Sequence, residues 1–202
     1  MTGVAGLVLA AGSSSRMGTP KQLLPFFQST LLDHVLAQTL ASKLDTVVLV
    51  LGYKAKAIMK ALKTDLRQPK LKVIQNKHHL RGISSSLITG VSAVEKEAQG
   101  VMVILGDMPH VTTSHMDLLL ERYRQSGLPL AALTSGGRRS HPVIIGRPFF
   151  PALQRLRGDE GARELFLEHA DQVCLVAPPE TYDEMDVDTP DDYLALQREF
   201  GQ

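Results

Sequence analysis

Residues 11–25 set two cations, Arg16 and Lys21, in a run of small residues that includes Gly12, Ser13, Ser14, Ser15 and Gly18. Side chains this small let the backbone approach an anion. Successive N–H groups turned inward form a nest for phosphate oxygens, and the two cations add charge-assisted hydrogen bonds. The pattern reads as a triphosphate cradle. It is not a P-loop, which has four residues between its glycines and Lys directly after the second; here five separate Gly12 from Gly18, and Lys21 lies further on. It is not a dinucleotide fingerprint either, because G-x-G-x-x-G is absent. The competing account is a Gly/Ser-rich turn with two solvated cations.

Carboxylates supply the second signal. "VMVILGDMP" ends an apolar run on Gly106-Asp107, and a carboxylate at the end of a central parallel strand is a natural Mg²⁺ ligand. In "EMDVDTPDD", Asp186 and Asp188 alternate with Val187 and so face the same way in an extended segment. Either could complete a metal site. Two alternatives stay open at this point: Asp107 making a turn or capping the next helix, and Asp188 capping a helix that begins at Pro190. His141 with Arg138 and Arg139, beside a Gly-Gly turn, suits an anionic group or a solvated basic hairpin tip. Arg163 stands at helical spacing from Asp159 and Glu160 and can pair with either. His78 and His79 lack the Cys or further His that a metal site would need.

The elements that must hold these residues alternate. Strands are predicted at 4–10, 46–51, 72–75, 101–105, 130–134, 142–146 and 173–177, with helices near 30–42, 54–63, 83–97, 113–125, 148–156, 160–169 and 190–200. Ser29-Thr30, Thr112-Thr113 and Asp188-Thr189-Pro190 are predicted helix starts. This is an α/β pattern with a mostly parallel sheet, in which ligands bind outside the carboxyl ends of the strands. The loops 11–25, 76–86 and 106–111 are therefore where chemistry is expected.

The chain has 202 residues, 44% hydrophobic and 21% charged, enough for one sizeable core and an ordinary globular composition. One domain spanning 1–202 is expected. With 22 basic against 21 acidic residues the net charge is +1, which gives no general pull toward nucleic acid or a membrane surface. The one cysteine, Cys174, lies in the apolar run "VCLVA" and reads as a small core residue. The opening "MTGVAGLVLAAG" lacks the features of a signal peptide and reads as a first strand, so a cytoplasmic location is expected.

"LVLAAGSSSRMGTPKQLLPF" resembles the nucleotide-binding signature L-A-A-G-x-S-x-R-M-G-x-x-K of MobA-like nucleotidyltransferases, closest to the molybdenum cofactor cytidylyltransferase branch. Further segments are similar in the same order: "NKHHLRGISSSL", "GDMP", "RRSHPVIIGRPFF", "LRGDEGARELF" and "DVDTPDDY". The resemblance covers nearly the whole chain. Departures are His79 where the family often has an aromatic, Arg81 where it often has an acidic or amide residue, and Ser140 where Gly usually precedes His-Pro.

The resemblance implies a three-layer α/β/α Rossmann-like nucleotidyltransferase fold of GT-A type, with a mostly parallel mixed sheet. It implies a Mg²⁺-dependent transfer of CMP from CTP to the terminal phosphate of molybdopterin or molybdenum cofactor, with release of pyrophosphate. Arg16, Lys21 and Asp107 would carry catalysis, and Asp107 with Asp186 or Asp188 would hold Mg²⁺. The nucleotide would lie on Ala10, Ala11, Gly12, Ser13, Ser14 and Gly18, with its base toward Gly82, Ser85 and Ser86, and His141 would face the acceptor. Ala11 favours cytosine, because the guanylyl branch typically reads L-A-G-G there. A molybdenum hydroxylase receiving the product is the implied partner. Transfer to a sugar phosphate or methylerythritol phosphate, and a non-catalytic cofactor-binding maturation chaperone for such a hydroxylase, are the alternatives.

Overall fold

The computed structural model describes residues 3–14, 17–180 and 186–201. In chain order its elements are β1 (Val4–Ala10), β2 (Pro25–Phe26), β3 (Ser29–Thr30), α1 (Leu31–Ala41), β4 (Thr46–Leu51), α2 (Ala55–Ala61), β5 (Leu71–Gln75), α3 (Ile83–Ser92), β6 (Gly100–Leu105), α4 (Thr113–Ser126), β7 (Leu130–Ser135), β8 (Arg138–Gly146), α5 (Phe150–Leu153), α6 (Arg163–Glu168), β9 (Val173–Val176) and α7 (Pro190–Glu199). Among the described residues, seven strands form one sheet in the order β5-β4-β1-β6-β8-β7-β9. Every neighbouring pair is parallel except the two made by β8, which runs against both β6 and β7.

The sequence of β1, VAGLVLA, is apolar throughout because both of its faces are covered. Val4, Val8 and Ala10 join α1, α2 and α4 in one core, through residues such as Leu36, Ile58 and Leu119. Ala5, Leu7 and Leu9 join α3, α5 and α6 in the other, through Leu87, Leu153 and Phe166. The result is a helix–sheet–helix sandwich, as the resemblance implied.

Register then places the loops. Leu9 of β1 is level with Leu105 of β6, and Gly106 N–H donates to the Leu9 carbonyl at 3.0 Å. Both strands end together, so the loops after them leave the sheet side by side.

A third cluster of Phe26, Leu31, Val187 and Leu196 docks α7 against the β2–β3 hairpin. Val187 is fully buried there. Its N–H donates to the Asp107 carbonyl at 3.2 Å, which pins the segment before α7 beside the end of β6.

Thr30, Thr112 and Thr189 are the N-caps of α1, α4 and α7, each accepting a backbone N–H in the first turn. Several expectations shift, among them the helices predicted at 83–97 and 148–156, which span only Ile83–Ser92 and Phe150–Leu153. β8 begins at Arg138 rather than 142, because the residues after the Gly136-Gly137 turn pair with β7. Cys174 is only half-buried, since β9 is the outermost strand on that side of the sheet. No helix among the described residues is long and apolar enough to cross a membrane.

Candidate active site

A cleft of about 760 Å³ opens at the carboxyl ends of β1 and β6. Ala10, Ala11, Gly12 and Ser13 line it after β1. Residues 79–83 and Ser86 line it as well, and so do Lys21, Asp107, Asp186 and Asp188.

Lys21 is the hub. Its ammonium contacts Asp107 Oδ2 and donates to Asp188 Oδ1 at 2.9 Å. Burial pulls the Lys21 pKa down, but the Asp107 charge and hydrogen bond, helped by Asp188, more than offset this and hold it above its ordinary value. Oxygens of Asp107, Asp186 and Asp188 lie within 4.8 Å of one another. The Asp186 carboxyl is pushed up by burial first and then by the charges of Asp107 and Asp188, which outweigh the Lys21 attraction.

The question of whether Asp188 caps α7 is answered by its neighbours. Asp192 Oδ2 accepts the N–H of Asp188 at 3.0 Å and of Thr189 at 2.7 Å, and Thr189 is the cap. The Asp188 side chain is thereby left to face Lys21.

The wall at 76–86 is a self-bonded loop. Buried Asn76 donates through Nδ2 to Ser85 Oγ at 2.8 Å and Ser86 Oγ at 3.0 Å, and accepts from His78 N–H at 2.8 Å. Ser84 Oγ donates to the Gly158 carbonyl at 2.7 Å, drawing Gly158 and Asp159 to the cleft edge. Gly82 makes this approach possible. Its φ is +87°, and a Cβ there would sit 2.2 Å from the Gly158 oxygen. Gly82→Ala is therefore expected to cost about 1–3 kcal/mol from strain, with the 76–86 loop displaced; a thermal melt together with nucleotide titration checks both effects.

A MobA-like NTP transferase domain matches residues 6–173. The chain belongs to that family. It is 30% identical to nicotine blue oxidoreductase of Paenarthrobacter nicotinovorans, covering 96% of each chain. It is 29% identical to purine catabolism protein PucB of Bacillus subtilis, covering 96% of this chain and 95% of that one. It is also 28% identical to molybdenum cofactor cytidylyltransferase of Escherichia coli over the full length of both. Among solved structures, the Rv0371c homologue from Mycobacterium sp. strain JC1 superposes with a TM-score of 0.84 at 32% identity, covering 97% of this chain and 96% of that one. Rv0371c of Mycobacterium tuberculosis in complex with manganese gives 0.78 at 29% identity, covering 98% and 99%.

The loop after β1 turns sharply away from the sheet and needs an anchor to hold its shape. Here a residue that sequence reasoning passed over does the holding. Gln22 is buried, and its Nε2 donates to the carbonyls of Ala10 at 3.2 Å and Gly12 at 3.1 Å, tying the two ends of the turn. The available signal was an amide directly after Lys21 in an otherwise apolar "QLLPF". Gln22→Leu would strand two carbonyls. It is expected to cost about 1–3 kcal/mol, read as a fall in Tm of about 2–4 °C per kcal/mol, with weakened nucleotide binding.

Of the residues singled out in the MobA-like sequence, Ala10, Ala11, Gly12, Ser13, Lys21, Gly82, Ser86, Asp107, Asp186 and Asp188 line the cleft. Ser14 does not. Its φ is +52° and its Oγ accepts the Lys21 N–H at 3.0 Å, so it shapes the loop. Gly18 also lies off the cleft wall, at a φ of +68°. The Ser85 hydroxyl turns into its own loop toward the carbonyls of Gly82 and His78. His141 lines a separate chamber, and Arg16 and Ser15 lie outside the described residues. Arg163 forms no ion pair with Asp159 or Glu160 among the described residues. The metal-competent cluster among them is the Asp107, Asp186 and Asp188 group, and the His78-His79 pair forms none.

Three carboxylates at this spacing are an all-oxygen donor set that fits a hard divalent cation.

Proposed function

We propose that the protein transfers CMP from CTP to the terminal phosphate of a molybdopterin-type acceptor, with Mg²⁺ as its metal. The observation that carries this reading is Lys21 bonded between Asp107 and Asp188 in a cleft walled by the small-residue loop after β1.

In this reading Gly12 and Ser13 present N–H groups to the triphosphate, and Lys21, with Arg16, neutralises charge as it moves to the leaving pyrophosphate. Asp107, Asp186 and Asp188 would hold the cation. When bound, the cation supplies Lewis-acid neutralisation of the phosphate oxygens. An acceptor phosphate oxygen forms a bond to the α-phosphorus while the bond from that phosphorus to the β-bridging oxygen breaks. The attacking oxygen is already ionised at neutral pH, so no general base is required, and positioning carries the rate.

Full-length similarity to a molybdenum cofactor cytidylyltransferase and Ala11 in the first motif support the acceptor and the base. We read residues 1–202 as one domain that works in the cytoplasm, where CTP is available, and passes its product to a molybdenum hydroxylase. The names of the relatives vary, so acceptor identity is what the test must address.

Purified protein with Mg²⁺, each NTP in turn and molybdopterin is expected to release pyrophosphate with CTP only, and only when the pterin is present. Release with another NTP would replace the base and keep the reaction. Activity with a sugar phosphate or methylerythritol phosphate would replace the acceptor. Pterin binding without any Mg²⁺-dependent NTP binding would favour a maturation chaperone.

A further inference from the structure

Beside the cleft lies a second chamber of about 200 Å³. Leu9, Ile83 and Leu105 line both cavities, so the two adjoin. The chamber sits between the sheet and the layer of α3 and α6, with Leu87 and Val103 among its apolar walls. This is room for a bicyclic ring rather than a larger ligand, whose pockets run to about 300–1,000 Å³.

Its charges are of one sign. Arg139 and Arg163 line it and no carboxylate does, whereas the neighbouring cleft is lined by Asp107, Asp159, Asp186 and Asp188. Neither arginine forms a salt bridge among the described residues. The Arg139 guanidinium lies over the Phe166 ring, 4.6 Å from its centroid, which fixes its position. Burial, and then the charge of Arg163, pushes the Arg139 pKa down, as expected for two cations that share a partly apolar space.

The strand edge is adapted to the same space. Between β7 and β8 the register jumps from Ala132 opposite Val143 to Leu133 opposite Ser140. A bulge of this kind re-aims side chains, and Ser140 and His141, adjacent in sequence, both line the chamber.

We infer that the chamber is a subsite for an anionic fused-ring heterocycle of the acceptor. Arg139 and Arg163 hold its anionic edge, while Leu9, Ile83 and Leu105 flank the ring at the junction with the cleft. Two guanidiniums against apolar walls select a flat anion over a neutral ring, because the anion relieves their mutual repulsion. This rests on the reading that an acceptor enters the adjoining cleft.

The test is a fluorescence titration of the full chain with pterin-6-carboxylate, a flat fluorescent anion, and with 6-hydroxymethylpterin as its neutral counterpart. Wild type is expected to bind the anion at least about tenfold more tightly than the neutral ring. Arg163→Gln, at an exposed position, is expected to weaken anion binding about tenfold and leave the neutral ring unchanged. Arg139→Gln should do the same and Arg139→Lys should recover part of the loss, with circular dichroism reporting the fold. Equal affinity for both pterins, an Arg163→Gln variant that binds as wild type, displacement of the anion by CTP with Mg²⁺, or no binding at all would each overturn the inference. Calorimetry with CTP and Mg²⁺ separates the two readings. Pterin binding without nucleotide binding would sink the nucleotidyl reading and leave the chamber, and the reverse would remove the chamber alone.

Discussion

Lys21→Met is expected to lower kcat by about 10²–10³-fold while the circular dichroism spectrum stays that of the wild type. The side chain is held in the cleft by Asp107 and Asp188 before any ligand arrives, so its charge is preorganised. In the proposed reaction, charge that moves toward pyrophosphate in the transition state would meet a cation that needs no reorganisation. The same contacts give a second readout. Without nucleotide, the ammonium occupies the carboxylates that a divalent cation would need, so Mn²⁺ alone is expected to bind Lys21→Met more tightly than wild type. Stability should move the other way. The folded-state pKa of Lys21 lies above its reference of 10.5, so the stabilisation it contributes is fully present below that value and is lost as pH rises through the folded pKa. In metal-free buffer the variant should therefore melt below wild type at pH 7, and the gap should narrow above about pH 10.5. Near-normal turnover would remove Lys21 from the chemistry.

How far the sequence exposes this site depends on whether the deciding contacts are local. The alternation of Asp186, Val187 and Asp188 put two carboxylates on one side of an extended segment, and burial of Val187 in the third cluster gives that alternation its direction. The cleft wall at Ala10, Ala11, Gly12 and Ser13 was readable because it needs only the end of the first strand and the small residues that follow it. Ser85 was not readable, because its hydroxyl is engaged by Asn76, nine positions away, through a loop whose closure the sequence does not announce. Gln22 was missed because an amide looks the same whether it meets solvent or two carbonyls of a turn. The strand order and the reversed direction of β8 were likewise silent. "PVIIG" is as apolar between two antiparallel neighbours as it would be between parallel ones, since burial on both faces sets the pattern and direction does not. The competing role for Asp188 could have been set aside from Thr189 and Asp192, three residues apart and correctly typed for a capping box.

Asp107→Asn is expected to lower metal-dependent turnover by about 10²–10³-fold or more and to weaken Mn²⁺ binding measured by calorimetry. Asparagine keeps the shape and loses the charge, so the loop should survive: its positioning bonds run through the backbone, from Val187 N–H to the Asp107 carbonyl and from Gly106 N–H to the Leu9 carbonyl. Two local changes oppose each other in the metal-free protein. Lys21 loses the partner that does most to raise its pKa, which destabilises, and Asp186 loses a like charge that raises its own, which stabilises. The melting temperature without metal should therefore move little. With Mg²⁺ the two proteins should part, because a ligand that binds the folded state adds RT ln(1 + [L]/Kd), and only wild type keeps the affinity to gain from it. A Mg²⁺-dependent rise in Tm that persists in Asp107→Asn, with turnover within about tenfold of wild type, would take Asp107 out of the metal site and leave Asp186 and Asp188 to hold the cation against Lys21.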